Sequence, residues 1–136
     1  KPLEVGSKID LNTIYFQQST PIIREHSLPE LAYLAEIMIE NKILVISIEG
    51  HTDNQGGEKE LQFLSEKRAE VIKNYLIHKK GIQGNRIQTA GFGDAQPVND
   101  NSSEAKRRQN RRVEVKVIKV DKGYSGEAPT TSSLDR

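Results

Sequence analysis

Nothing in this sequence narrows its fold as sharply as residues 58–80, a long helical stretch that opens behind a polar turn and stops at Gly81. Leu64, Val71, Ile72 and Tyr75 fall on one face of it, Lys79 and Lys80 suit the negative end of the helix dipole, and Gly81 can take the left-handed conformation that ends a helix. Immediately upstream, residues 43–48 are almost all β-branched or aliphatic. That run is too short for a helix and too apolar for an exposed strand, so it reads as a central strand covered on at least one face, closed by Gly50. A covered strand feeding a long helix through a tight turn implies helices layered on a sheet.

The remaining elements fit that plan. Residues 12–16 (Asn-Thr-Ile-Tyr-Phe) are rich in strand-favouring types and are expected to form a short first strand. Ser27-Leu-Pro-Glu30 has capping-box spacing, and Leu31, Leu34, Ala35 and Met38 then recur at helical intervals, predicting a helix that ends near Asn41. Residues 86–90 and 112–117 alternate as strands, the latter with its valines on one face, and beyond Val117 the alternation slips by one. The expected architecture is α/β, an α+β sandwich in the order β-α-β-α-β-β, with two helices packed on one face of a small mixed sheet. Residues 1–11 read as a lead-in, 12–120 as the domain, and 121–136, rich in Gly, Ser, Thr, Pro and charge, as a flexible tail or linker.

With 136 residues the chain is of single-domain size and needs no metal or disulfide to build a core. Its 20 Lys and Arg against 19 Asp and Glu leave a net charge of +1, so bulk charge gives no reason to expect nucleic-acid or membrane binding. There is no cysteine, which excludes disulfides, thiolate metal sites and a thiol nucleophile. No apolar run approaches the length that crosses a bilayer, so any membrane attachment or targeting segment would lie in parts of a parent protein outside this sequence.

Two residues stand out chemically. Arg68 lies four residues from both Leu64 and Ile72, on the apolar stripe of the long helix. A guanidinium cannot shed its charge there, and leaving it unpaired would cost ~3–5 kcal/mol, so it must reach the helix edge, pair with a structural acid, or meet a ligand anion. Asp53, in Gly50-His-Thr-Asp, emerges from the strand end beside the start of that helix, where it could close an Asx turn or face a ligand. Side by side, the two would form either a closed salt bridge or an open pair, and an open pair presents one acceptor and one donor to a zwitterionic amino-acid head. The three histidines, His26, His51 and His78, have no metal-ligand spacing, and no serine elbow or catalytic carboxylate pair can be named, so neither an enzyme, a metal nor a cofactor is expected. The basic run 106–112 follows Asp94, Asp100 and Glu104 in a chain with seven aromatics, and reads as a solvated face carrying one or two functional arginines.

Five ordered blocks together carry a family resemblance: Ile48-Glu-Gly-His-Thr-Asp53, Leu64-Ser-Glu-Lys-Arg-Ala69, Gly81-Ile with Arg86, Gly91-Phe-Gly93 with Pro97, and Asn110-Arg-Arg-Val-Glu114. In order and spacing they resemble the OmpA-like C-terminal domain, over about residues 13–120. The resemblance implies a non-catalytic module that binds peptidoglycan in the periplasm of a Gram-negative envelope and anchors an outer-membrane or envelope protein to the wall. Its partner would be the peptidoglycan stem peptide, with other envelope proteins in addition. It also implies that Asp53 and Arg68 hold the diaminopimelate of that peptide, that Arg111 lines the pocket, and that Thr52 is a hydrogen-bonding neighbour.

The sequence departs from the family pattern twice. Leu61 stands where an Asn is common, and Phe16-Gln-Gln-Ser19 lacks the acidic residue that usually follows the first strand. Both changes are expected to fall near the pocket. They keep open an alternative, a protein-interaction module of the same fold that has lost wall binding and docks a partner through its basic surface.

Overall fold

The computed structural model describes residues 3–120, so the stretch 121–136 expected to be a tail lies outside the described residues. Helix α1 (Leu28–Glu40) leads into strand β1 (Val45–His51), followed by helix α2 (Glu58–Lys80), strand β2 (Ile87–Gly91), helix α3 (Glu104–Asn110) and strand β3 (Arg112–Lys119). The sheet order is β2-β1-β3, with β1 parallel to β2 and antiparallel to β3. This is the small mixed α+β sheet anticipated above, and one apolar cluster joins α1 and α2 to the face bearing Ile46, Ile48, Ile87, Val115 and Val117. The alternate positions of β1, Ser47, Glu49 and His51, are also buried, and lie on the opposite face beside Glu114 and Lys116 of β3.

Several elements differ from expectation. Residues 12–16 form no strand. Phe16 makes a single antiparallel bridge to Ile23, and the edge of β3 is taken instead by residues 6–9, through Gly6 N–H to Val117 O (2.8 Å), Val117 N–H to Ser7 O (2.9 Å) and Ile9 N–H to Val115 O (2.8 Å). Strand propensity is local, whereas pairing goes to the segment that reaches a free edge. The capping box is not used either. Ser27 Oγ accepts from Tyr15 N–H (2.8 Å) and Glu30 accepts from Asn12 N–H (2.9 Å), so both side chains fasten the 12–15 segment to the start of α1.

The buried stripe of α2 is Leu61, Ser65, Arg68, Ala69, Ile72 and Leu76, rotated from the one expected, with Leu64 and Val71 only half-buried. The basic run, read above as a solvated face with no element assigned to it, is mostly helix α3, capped by Ser103 Oγ accepting from Lys106 N–H (3.2 Å). The slip after Val117 is a β-bulge: Ile46 pairs with Val117 and Val45 with Lys119, which leaves Ile118 exposed.

Two glycines set how closely α2 lies on the sheet. A Cβ on Gly50 would collide with the carbonyl oxygen of Ser65, and one on Gly91 would come within 2.5 Å of Glu66 N and 2.6 Å of Ser65 Oγ. Ser65 in turn accepts from Gly93 N–H (3.0 Å). The end of β1 and the middle of α2 are thereby clamped together, which brings Asp53 and Arg68 to one place.

Candidate functional site

Beyond the end of β1 a cleft of about 920 Å³ opens between the 13–24 segment, α2 and α3, and both Asp53 and Arg68 line it. Asp53 is 6% and Arg68 8% exposed. Burial in each case makes the partners of the charge decisive.

Asp53 uses one carboxylate oxygen locally and the other across the cleft. Oδ1 accepts from Gln55 N–H at 2.9 Å, which is the Asx turn left open above, and Oδ2 accepts from Arg111 Nη1 at 2.6 Å. The local turn bond and a long-range ion pair therefore coexist on one side chain. The other terminal nitrogen of Arg111 donates to Glu104 at 2.6 Å, so Asp53 and Glu104 share Arg111, while Glu104 also lies 3.5 Å from Arg107 Nε. Thr52 is buried; its hydroxyl donates to the carbonyl of Asp53 (2.8 Å) and its N–H to Gly93 O (2.8 Å), which stiffens the turn from which Asp53 projects.

Arg68 has no carboxylate within ion-pair distance among the described residues. Its Nε donates to the carbonyl of Thr20 (2.9 Å) and its guanidinium carbon lies 4.8 Å from the centre of the Phe16 ring. Burial, and then the nearby positive charge of Arg111, lower its pKa, while Asp53 acts in the opposite sense. The closed salt bridge weighed above is thus not made between Asp53 and Arg68. Asp53 closes on Arg111 instead, and Arg68 stays a desolvated cation supported by a backbone carbonyl and a ring.

Leu61 and Ser19, the two departures from the family pattern, both line the cleft. Leu61 is buried, and Ser19 takes a left-handed backbone (φ 59°). Sequence reasoning did not find Phe16, the Thr20 carbonyl or Glu104 as neighbours of the site. The first two approach Arg68 only through the fold of the 13–24 loop, and Glu104 is placed by α3, which was not expected. Asn110 is explained by packing: fully buried, it accepts from Val98 and Asn99 N–H and donates to Asn99 O and Asn101, fastening the loop that precedes α3.

On the opposite sheet face, Glu49, His51 and Glu114 bring one ligand atom each to within 4.8 Å of one another. Lys116 (3.1 Å from Glu49), Lys8 (3.2 Å) and Arg112 (2.7 Å from Glu114) surround them, however, so three cations meet two carboxylates and the charge balance does not favour a metal. Burial first, and then Arg112, lower the His51 pKa to about 4, and the neutral ring stacks on Phe92 at 5.3 Å.

The sequence profile of the OmpA family matches residues 15–111, most of the chain and all of the cleft lining described above except Thr13, Ile14, Arg112 and Val113. The chain belongs to the OmpA family. Over 95 residues it is 36% identical to outer membrane porin F of Pseudomonas aeruginosa, covering 70% of this chain and 27% of the porin. It is 35% identical over 101 residues to the peptidoglycan-associated lipoprotein of Buchnera aphidicola, covering 74% of this chain and 58% of that one. This OmpA-family chain thus spans less than two-thirds of either relative. Among solved structures it resembles the cell wall anchor of the T6SS from Pseudomonas aeruginosa, with a TM-score of 0.66, 29% identity, and 75% of this chain and 73% of that chain covered.

Proposed function

We propose that this domain holds peptidoglycan non-covalently and anchors an envelope protein to the wall from the periplasm, without catalysing a reaction. The observation that carries the reading is a buried carboxylate and a buried guanidinium on one cleft that do not neutralise each other. An amino-acid head such as that of diaminopimelate offers a carboxylate to Arg68, which lacks one among the described residues, and an ammonium to Asp53, where it competes with Arg111. The lining also holds Arg24, Arg107, Arg108 and Arg112 against only Asp53 and Glu104 as acids, an excess of positive charge that suits a stem peptide bearing further carboxylates. A wall-associated lipoprotein and a wall anchor among the similar proteins support the same reading.

The alternative, docking of a partner protein through the basic surface, has less behind it. Lys106 pairs with Asp100 (3.1 Å), Arg107 donates to Asn101 O (3.0 Å), and Arg112 is engaged with Glu114, so much of the basic run is spent on its own loop.

The test is a calorimetric titration with a soluble diaminopimelate-containing muropeptide and with the same peptide carrying lysine, which lacks the second carboxylate. Binding of the first alone, lost in Asp53→Asn, is the expected result. No binding by a folded wild-type domain would put the Leu61 and Ser19 departures in charge of the cleft and favour the docking alternative.

A further inference from the structure

Resting on that reading of the cleft, we propose that Glu104 is a positioning residue that decides how much of the Asp53 charge a ligand ammonium can use. Asp53 is not free to receive a cation, because Arg111 Nη1 already stands 2.6 Å from its Oδ2. The same arginine is drawn the other way by Glu104, which accepts from Nη2 at 2.6 Å and lies 3.5 Å from Nη1. Of the two acids, Glu104 acts more strongly on Arg111 in holding it in the charged form, with Asp53 second.

The geometry makes the two carboxylates competitors for one guanidinium. Asp53 is nearly enclosed, with its side chain 9% exposed, whereas the Glu104 side chain is 55% exposed on the first turn of α3. As a ligand ammonium reaches Asp53, Arg111 can relax toward Glu104 without losing its only anion. Once there it still faces the cleft, where its Nη1 can meet the carboxylate that Arg68 attracts. Without Glu104 the arginine has Asp53 as its sole carboxylate partner among the described residues, and the ammonium must displace it outright. Glu104 thus sets selectivity for a zwitterionic head over a carboxylate alone.

The experiment compares wild type, Glu104→Gln, Asp53→Asn and the double variant by calorimetry. The two probes are a diaminopimelate muropeptide and the same muropeptide with its free side-chain amine acetylated. Wild type should prefer the free amine by about tenfold or more, the worth of one charge-assisted hydrogen bond. Glu104→Gln should shrink that ratio toward the value in Asp53→Asn, and the double variant should show no further change. If Glu104 served only to hold α3, both peptides would weaken together at an unchanged ratio, and that result would overturn the inference while leaving the proposed function standing. A wild-type ratio near one would instead overturn the assignment of Asp53 to the ammonium, and this inference with it.

Discussion

Replacing Arg68 by methionine removes a buried cation while keeping an unbranched side chain of similar reach, and it separates what the residue does for the fold from what it does for a ligand. The change gives up the bond to the Thr20 carbonyl, about 1.5–3 kcal/mol for a charged donor, although that carbonyl belongs to a half-buried turn residue that water can reach. It also loses the contact with the Phe16 ring, about 0.5–2 kcal/mol, of which a thioether on the same ring returns about 0.3–1.5 kcal/mol. Against these losses stands the desolvation of an ion with no acid in ion-pair range among the described residues, which amounts to several kcal/mol. The expected balance is a free domain stabilised by about 1 kcal/mol, or about 4 °C in Tm for a domain of this size. Urea unfolding of wild type and Arg68→Met in parallel measures it, and the same variant should fail to bind the diaminopimelate muropeptide. A variant less stable than wild type by 1 kcal/mol or more would show that Thr20 and Phe16 already compensate the charge, and Arg68 would then be a structural residue.

Two further changes probe the frame around the site. His51 has its pKa lowered from 6.5 to about 4, chiefly by burial and secondarily by Arg112. The unfolded chain therefore takes up a proton that the folded one resists, and stability is lost as pH falls from 6.5 toward 4, by up to about 3 kcal/mol. Urea midpoints for His51→Asn should fall less steeply over that window than those of wild type, and parallel curves would refute the assignment. Arg86 donates to the carbonyls of Met38 (2.7 Å), Asn41 (2.6 Å) and Leu44 (3.0 Å) where the chain leaves α1. Arg86→Lys, with a single ammonium in place of that fork, should cost about 2 kcal/mol in urea unfolding and leave muropeptide affinity unchanged. An unchanged midpoint would show that one ammonium suffices to hold those carbonyls.

Much of this protein is written locally. The 43–48 run carries its own composition, and the helical stretch ending at Gly81 and the alternation of 112–117 carry their own period, which is why their positions were legible without a fold. Arg68 could be picked out in the same way, because a charge on an apolar stripe shows in the spacing alone. The rest depended on which segments meet. Residues 12–16 have the composition of a strand, yet residues 6–9 reach the free edge of β3, and the 13–24 loop turns back to place Phe16 and Thr20 against Arg68. Asp53 closes on Arg111 rather than on Arg68, across a separation of 58 residues that no periodicity links, and Glu104 joins them from the first turn of α3. Spacing along the chain is enough to say which side chains carry charge into a covered helix face and a strand end. Only the packing of α2 on Gly50 and Gly91, and of α3 across the cleft, decided which charges neutralise one another, because Coulombic pairing depends on distance and burial rather than on order along the chain.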